Sequence, residues 1–206
     1  MLKSKHHDII NTGGFMKTIK EAITYSYEIE KSKFITIIIP MENKEYIDLE
    51  LKKIKEKWKD ASHYCYAYII GEYKKSSDDK EPGGTAGIPM LDALNQSDLY
   101  NVLAVTVRYF GGIKLGAGGL VRAYRKSITE CLNNNSDKIV EITDGYLLKL
   151  ITTYDKQKDI ERQFKRIKNK EYSENITYYI ELTIDEYQEL KDKFEFEIIN
   201  NKKIEI

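Results

Sequence analysis

Cysteine is scarce in this chain. Cys65 and Cys131 are its whole complement, which excludes a disulfide framework and makes a reduced, cytoplasmic setting the expectation. Net charge is lacking as well, because thirty-three basic residues face thirty-three acidic ones. No global field draws the chain toward nucleic acid or a membrane, so any electrostatic preference must be local. No apolar run exceeds a few residues, too short for a membrane-spanning helix. Residues 1–15 have neither the hydrophobic core of a signal peptide nor the periodicity of a helix. They read as a disordered tail or a misassigned start. The codons of Gly13-Gly14 can spell a ribosome-binding sequence just upstream of Met16, so translation is expected to begin there, which removes His6 and His7 and leaves His63 as the only histidine.

What is present is enough for a folded protein. An apolar content of 41% over 206 residues excludes wholesale disorder and allows one large or two small domains. Residues 17–27 are strand-compatible, and residues 34–39 form a β-branched run closed by Pro40. Ile47, Leu51, Ile54 and Trp58 recur at helical spacing. Residues 63–70 alternate strictly, with His63, Cys65, Ala67 and Ile69 on one side and Tyr64, Tyr66, Tyr68 and Ile70 on the other. Residues 71–87 read as one long polar connection, and Pro89 suits the first turn of a short helix at 90–94. After the strand at 102–107 and a glycine loop, Leu120, Tyr124, Ile128 and Cys131 mark a helix face that ends at 133–136. A domain boundary is expected there, giving 16–136 and 137–206. The second part reads β-α-β-α-β with a possible extra strand near Tyr172. Ile160, Phe164 and Ile167 form one helix face, and Thr183-x-x-Glu186 forms a capping box. From Glu141 onward twelve basic residues meet fifteen acidic ones, a net charge of −3, unsuited to nucleic-acid binding without help.

The least scaffold-like stretch is Arg108-Tyr-Phe-Gly-Gly-Ile-Lys-Leu-Gly-Ala-Gly-Gly-Leu-Val-Arg-Ala-Tyr-Arg-Lys126. No acid occurs from Leu99 through Thr129, so it is electropositive by composition. A strand, a glycine loop and a helix start in succession leave backbone N–H groups free to face an anion. The known nucleotide motifs fail, however. A P-loop needs Gly-Lys-Ser/Thr where Gly116-Ala117-Gly118 stands, and a dinucleotide fingerprint needs glycine at Val121. A generic anion site remains, beside the plainer reading that glycines permit tight packing and arginines pair with acids. Asp78, Asp79 and Glu81 of the other glycine-bearing loop are those acids, and the two loops can form one cleft. Three close carboxylates could hold Mg²⁺, but salt bridges to Arg108 or Lys114 are the better expectation, and no metal or cofactor is assigned. His63 is the natural acid/base candidate. Cys65 fits a small buried residue better than a nucleophile.

Taken together, His63-x-Cys65-x-Ala67-Tyr68, Ser77-Asp-Asp-x-Glu-Pro-x-Gly-Thr-Ala-Gly87 and the 108–124 stretch resemble the YigZ/IMPACT family from about Met16 onward. One departure is Lys80, where the family usually has glycine. The resemblance implies an α+β protein: an N-terminal β-α-β sandwich like ribosomal-protein and elongation-factor domain IV folds, then a ferredoxin-like C-terminal domain. It also implies a regulatory binding protein linked to translation, since eukaryotic relatives act by protein binding in amino-acid-starvation signalling. The expected contact residues are Asp78, Asp79, Glu81, Thr85, Arg108, Tyr109, Lys114 and Arg122. Partners would be RNA, the ribosome or a translation-associated protein, with no membrane and no DNA sequence specificity. The enzyme alternative is a small hydrolase using His63 with Asp79 or Glu81.

Overall fold

Val102 to Tyr109 carry eight successive strand-forming residues, seven of them buried, and such a run belongs in the middle of a sheet covered on both faces. The computed structural model, which describes residues 16–206, places it there; the readings of residues 1–15 lie outside the described residues. The described residues form two compact units, Met16–Glu141 and Ile142–Ile206.

The first unit contains β1 (Met16–Ile19), β2 (Ile23–Ile29), β3 (Ser32–Pro40), α1 (Ile47–Lys57), β4 (His63–Ile70), β5 (Tyr73–Ser77), α2 (Gly87–Gln96), β6 (Val102–Tyr109) and α3 (Gly116–Asn133). Its five-stranded sheet runs β2-β3-β6-β4-β5, every pairing antiparallel. Alternation sorts side chains to two cores. Phe34, Ile38, Cys65, Ala67, Val102 and Ala104 pack under α2 and α3. Ile35, Ile37, Leu103, Val105 and Val107 pack under Ile47 and Ile54 of α1, with the Tyr64, Tyr66 and Tyr68 stripe. A chain of buried hydroxyls crosses the first core: Thr36 Oγ1 lies 2.9 Å from Thr106 Oγ1, itself 3.1 Å from Ser127 Oγ of α3. Ser127 also donates to the Tyr124 carbonyl at 2.8 Å.

Two expectations change here. The connection at 71–87 contains a strand, because β5 pairs with β4 as a hairpin; its polar sequence is that of an exposed sheet edge and gives no alternating signal. Helix α3 starts at Gly116 rather than near Leu120, so Gly118 and Gly119 lie in its first turn.

β7 (Ile139–Thr152) runs across the boundary between the units, and α4 (Gln157–Gln163), β8 (Ile167–Tyr172), β9 (Ile176–Thr183), α5 (Ile184–Leu190) and β10 (Phe196–Glu205) follow it in the second unit. The strands lie β10-β7-β9-β8, all antiparallel. Leu148, Leu150, Ile176, Tyr178 and Ile180 pack with Ile160 and Phe164. Ile167 is not on the α4 face; Phe164 is already extended, and Ile167 opens β8 opposite Ile180. The capping box of α5 forms as its spacing predicts, with Thr183 Oγ1 accepting from Glu186 N at 3.2 Å and the Glu186 carboxylate accepting from Thr183 N at 2.8 Å. The molecule is thus a mixed α+β protein with two antiparallel sheets, and no helix among the described residues is long and apolar enough to cross a membrane.

Candidate functional site

Register brings the first two site residues together. His63 on β4 lies opposite Arg108 on β6, and Phe34 of β3 flanks Arg108 on its other side. All three face α2 and α3. Tyr109, one residue on, faces the opposite way, and its hydroxyl donates to the Lys59 carbonyl at 3.0 Å. It is therefore apart from the other candidates.

The acidic loop is organised by Asp78. Its carboxylate accepts from the N–H groups of Gly84 (2.8 Å), Ala86 (3.0 Å) and Gly87 (2.8 Å) at the start of α2. Burial opposes its ionisation, but the three N–H bonds outweigh this and hold the carboxyl below its ordinary range. Thr85 is likewise internal, its hydroxyl donating to the Pro82 carbonyl at 2.6 Å. The Asp79 carboxylate accepts from Tyr64 N at 2.7 Å, while its carbonyl meets His63 Nδ1 at 2.8 Å. A carbonyl only accepts, so Nδ1 carries the proton and Nε2 faces the site. The three acids thus reach three different partners, and among the described residues no group of three or more His, Cys, Asp or Glu side chains is placed to share a metal ion.

Glu81 is the acid that faces His63. Its Oε1 accepts from Arg108 Nη1 at 2.5 Å and from the Tyr124 hydroxyl at 2.8 Å, with His63 Nε2 at 3.8 Å. The side chains of Glu81 and Arg108 are 3% and 5% exposed, so each charge depends on the other for solvation. Arg108 Nη2 reaches Ser32 Oγ at 3.3 Å, and its guanidinium lies 5.4 Å from the ring centres of both Phe34 and Phe110. Its Nε has no hydrogen-bond partner among the described residues. Burial pushes the Cys65 thiol up to about 12, and its Sγ lies 3.0 Å from the Asp78 carbonyl. It is a packed thiol, not a nucleophile.

Above this buried cluster opens a cavity of about 430 Å³. His63, Glu81 and Arg108 reach it from below, Phe110, Leu115 and Leu120 give it apolar walls, and Lys114, Gly116 and Ala117 bring the start of α3 to its edge. No side chain caps that start, so the positive end of the helix lies at the edge of the cavity, where Gly116 and Ala117 line it. Arg122 lines a separate cavity. Of the expected cleft residues the structure therefore gathers His63, Glu81, Arg108 and Lys114; Asp78, Asp79 and Thr85 build the loop, and Tyr109 and Arg122 lie elsewhere. Sequence reasoning missed Tyr124 and Ser32 as polar partners and Phe110 as a wall. Tyr124 was legible as buried, and a buried tyrosine hydroxyl calls for a partner.

The Impact N-terminal domain family matches residues 30–132. The chain belongs to the IMPACT family. It is 40% identical over 176 residues to the IMPACT family member YvyE of Bacillus subtilis, covering 80% of this chain and 79% of that protein. It is 41% identical over 115 residues to the IMPACT family member YigZ of Escherichia coli, where the match spans 53% of this chain and 56% of the relative. A crystal structure of a hypothetical protein superimposes with a TM-score of 0.61 at 28% identity, covering 90% of this chain and 98% of its own. The matched IMPACT segment contains His63, Glu81, Arg108 and Lys114, the four residues that meet at the cavity.

Proposed function

We propose that this IMPACT-family protein is a cytoplasmic regulatory binding protein linked to translation, and that an anionic group of its partner enters the cavity above Glu81 and Arg108. One observation carries the reading. A buried, mutually neutralised Arg108–Glu81 pair forms the floor, while Lys114 and the uncapped start of α3 remain at the edge as unspent positive charge. The size is right for a small group or side chain, since ligand cavities run from about 300 to 1,000 Å³. The link to translation rests on the family resemblance. The strand order β10-β7-β9-β8 with helical crossovers α4 and α5 supports reading the second unit as a ferredoxin-like sandwich. The five-stranded sheet covered on both faces is the support for a domain IV-like first unit.

The test uses Lys114→Ala, because Arg108 cannot be removed without stranding Glu81. Co-sedimentation with ribosomal particles at low salt is expected to fall at least several-fold in the variant while its melting temperature stays unchanged. Equal co-sedimentation of variant and parent would overturn the reading. A second reading is favoured by His63, whose Nδ1 is fixed by the Asp79 carbonyl while Nε2 lies 3.8 Å from Glu81. That arrangement suits a general base activating water in a small hydrolase. His63→Ala would then abolish a hydrolysis without weakening association.

A further inference from the structure

On α3 two neighbouring arginines are treated differently. Arg125 is paired, its guanidinium reaching Gln96 Oε1 at 2.9 Å and Asp92 Oδ2 at 3.3 Å. Arg122 has neither an ion pair nor a hydrogen bond among the described residues, and it lines a second cavity, of about 490 Å³, together with Tyr27, Ile113, Lys114, Leu115 and Lys126. Lys114 is also without a carboxylate partner, and Lys126 Nζ sits 5.3 Å from the centre of the Tyr27 ring. Three cations therefore line one cavity, with Glu30 the only acid lining it among the described residues. Arg122 and Lys126 stand at i, i+4, where like charges face each other and repel. Some surface lysines of the described chain are ion-paired, as in Lys53–Glu50, Lys138–Glu21 and Lys149–Glu197, and others are not; what sets Lys114, Arg122 and Lys126 apart is that they line one cavity together.

The two cavities share Lys114 and Leu115, but their chemistry differs. One is cationic. The other has mainly apolar walls, an exposed Phe110 ring and, at its floor, the Glu81 carboxylate and His63 Nε2. A ligand that suits both must alternate anionic groups with flat apolar groups bearing polar edges. We propose that the paired cavities bind an unpaired nucleotide segment of single-stranded nucleic acid: one phosphate, the anionic group of the functional reading, meets Lys114 where the two cavities join, the next two lie against Arg122 and Lys126, and one base stands beside Phe110 with its edge toward His63 and Glu81. A base offers N–H donors that a carboxylate accepts and a face that an aromatic ring can stack on; an acidic peptide would meet the cations but leave the apolar cavity unfilled.

This inference rests on the reading of the first cavity as a contact site, and the experiment separates the two. Fluorescent single-stranded oligonucleotides of about ten nucleotides, RNA and DNA of the same sequence, are titrated against the full chain over a range of salt. Binding of either supports the inference, and the tighter of the two names the source. Arg122→Gln with Lys126→Gln is expected to weaken binding about tenfold or more and to reduce the slope of log affinity against log salt by about 1.4, the value for two phosphates at 0.7 each. Phe110→Ala is expected to weaken it about five- to hundred-fold, with the slope unchanged. Absence of binding at low salt, equal affinity for a duplex or an acidic peptide, or an unchanged slope in the double variant overturns the inference. Ribosome co-sedimentation that survives in the double variant but is lost with Lys114→Ala would overturn it too, while leaving the functional reading standing.

Discussion

Lys80 has a φ of +69°, and Asp79 before it has +40°. Left-handed backbone costs a side-chain-bearing residue about 1 kcal/mol relative to glycine. The turn it makes delivers Glu81 to Arg108, so the strain is balanced by the ion pair it positions. Lys80→Gly should stabilise the protein by about 0.5–1 kcal/mol in urea unfolding, with the m-value unchanged. A loss of stability would show that the lysine side chain makes a compensating contact. The strain at Lys80 was not legible in the sequence, because a positive φ is a property of the folded turn.

At the scale of elements, the glycine loop is fixed by close approach more than by flexibility. A methyl group built on Gly111 would overlap the Lys31 carbonyl at the tip of the β2–β3 hairpin, whereas on Gly112, at φ +87°, it meets open space. Gly111→Ala should therefore destabilise by about 3 kcal/mol, and Gly112→Ala by about 1 kcal/mol. Equal effects in thermal melts would contradict this close approach. The elements themselves were mostly legible. β3, β4 and β6 announce themselves through alternation or unbroken apolar runs, and α1 through Ile47, Leu51, Ile54 and Trp58. β5 was hidden because an edge strand with residues as polar as Lys74, Lys75 and Ser76 carries no pattern, and the start of α3 was hidden because its first turn is glycine-rich.

At the scale of the whole molecule, burial sets a limit on alkaline tolerance. Burial pushes the thiols of Cys65 and Cys131 up to about 12, and it raises Tyr27 and Tyr124 as well. All four have folded values above their unfolded ones. The stability they contribute is complete below the unfolded thiol value of about 8.5 and is lost as pH rises toward the folded values. The melting temperature should hold from about pH 7 to 8.5 and then fall steadily toward pH 11; a flat profile would show that these groups are less enclosed. That Arg108 or Lys114 pairs with the acidic loop was legible from charge complementarity, and the residue that does so is Arg108. Which acid it takes was not, since Asp78, Asp79 and Glu81 differ only in the turn geometry that sends each to its own partner.

The hydroxyl chain from Thr36 through Thr106 to Ser127 acts as a vernier for α3. A slide by one helical turn would set Ala123 or Cys131 opposite Thr106 and strand at least one buried hydroxyl, a penalty of about 1–3 kcal/mol each. The permitted axial setting is thus a single notch, and the helix's first turn, eleven residues away, inherits it. The height at which Gly116 and Ala117 stand over His63 is in this sense dictated by three small hydroxyls that never touch the cavity.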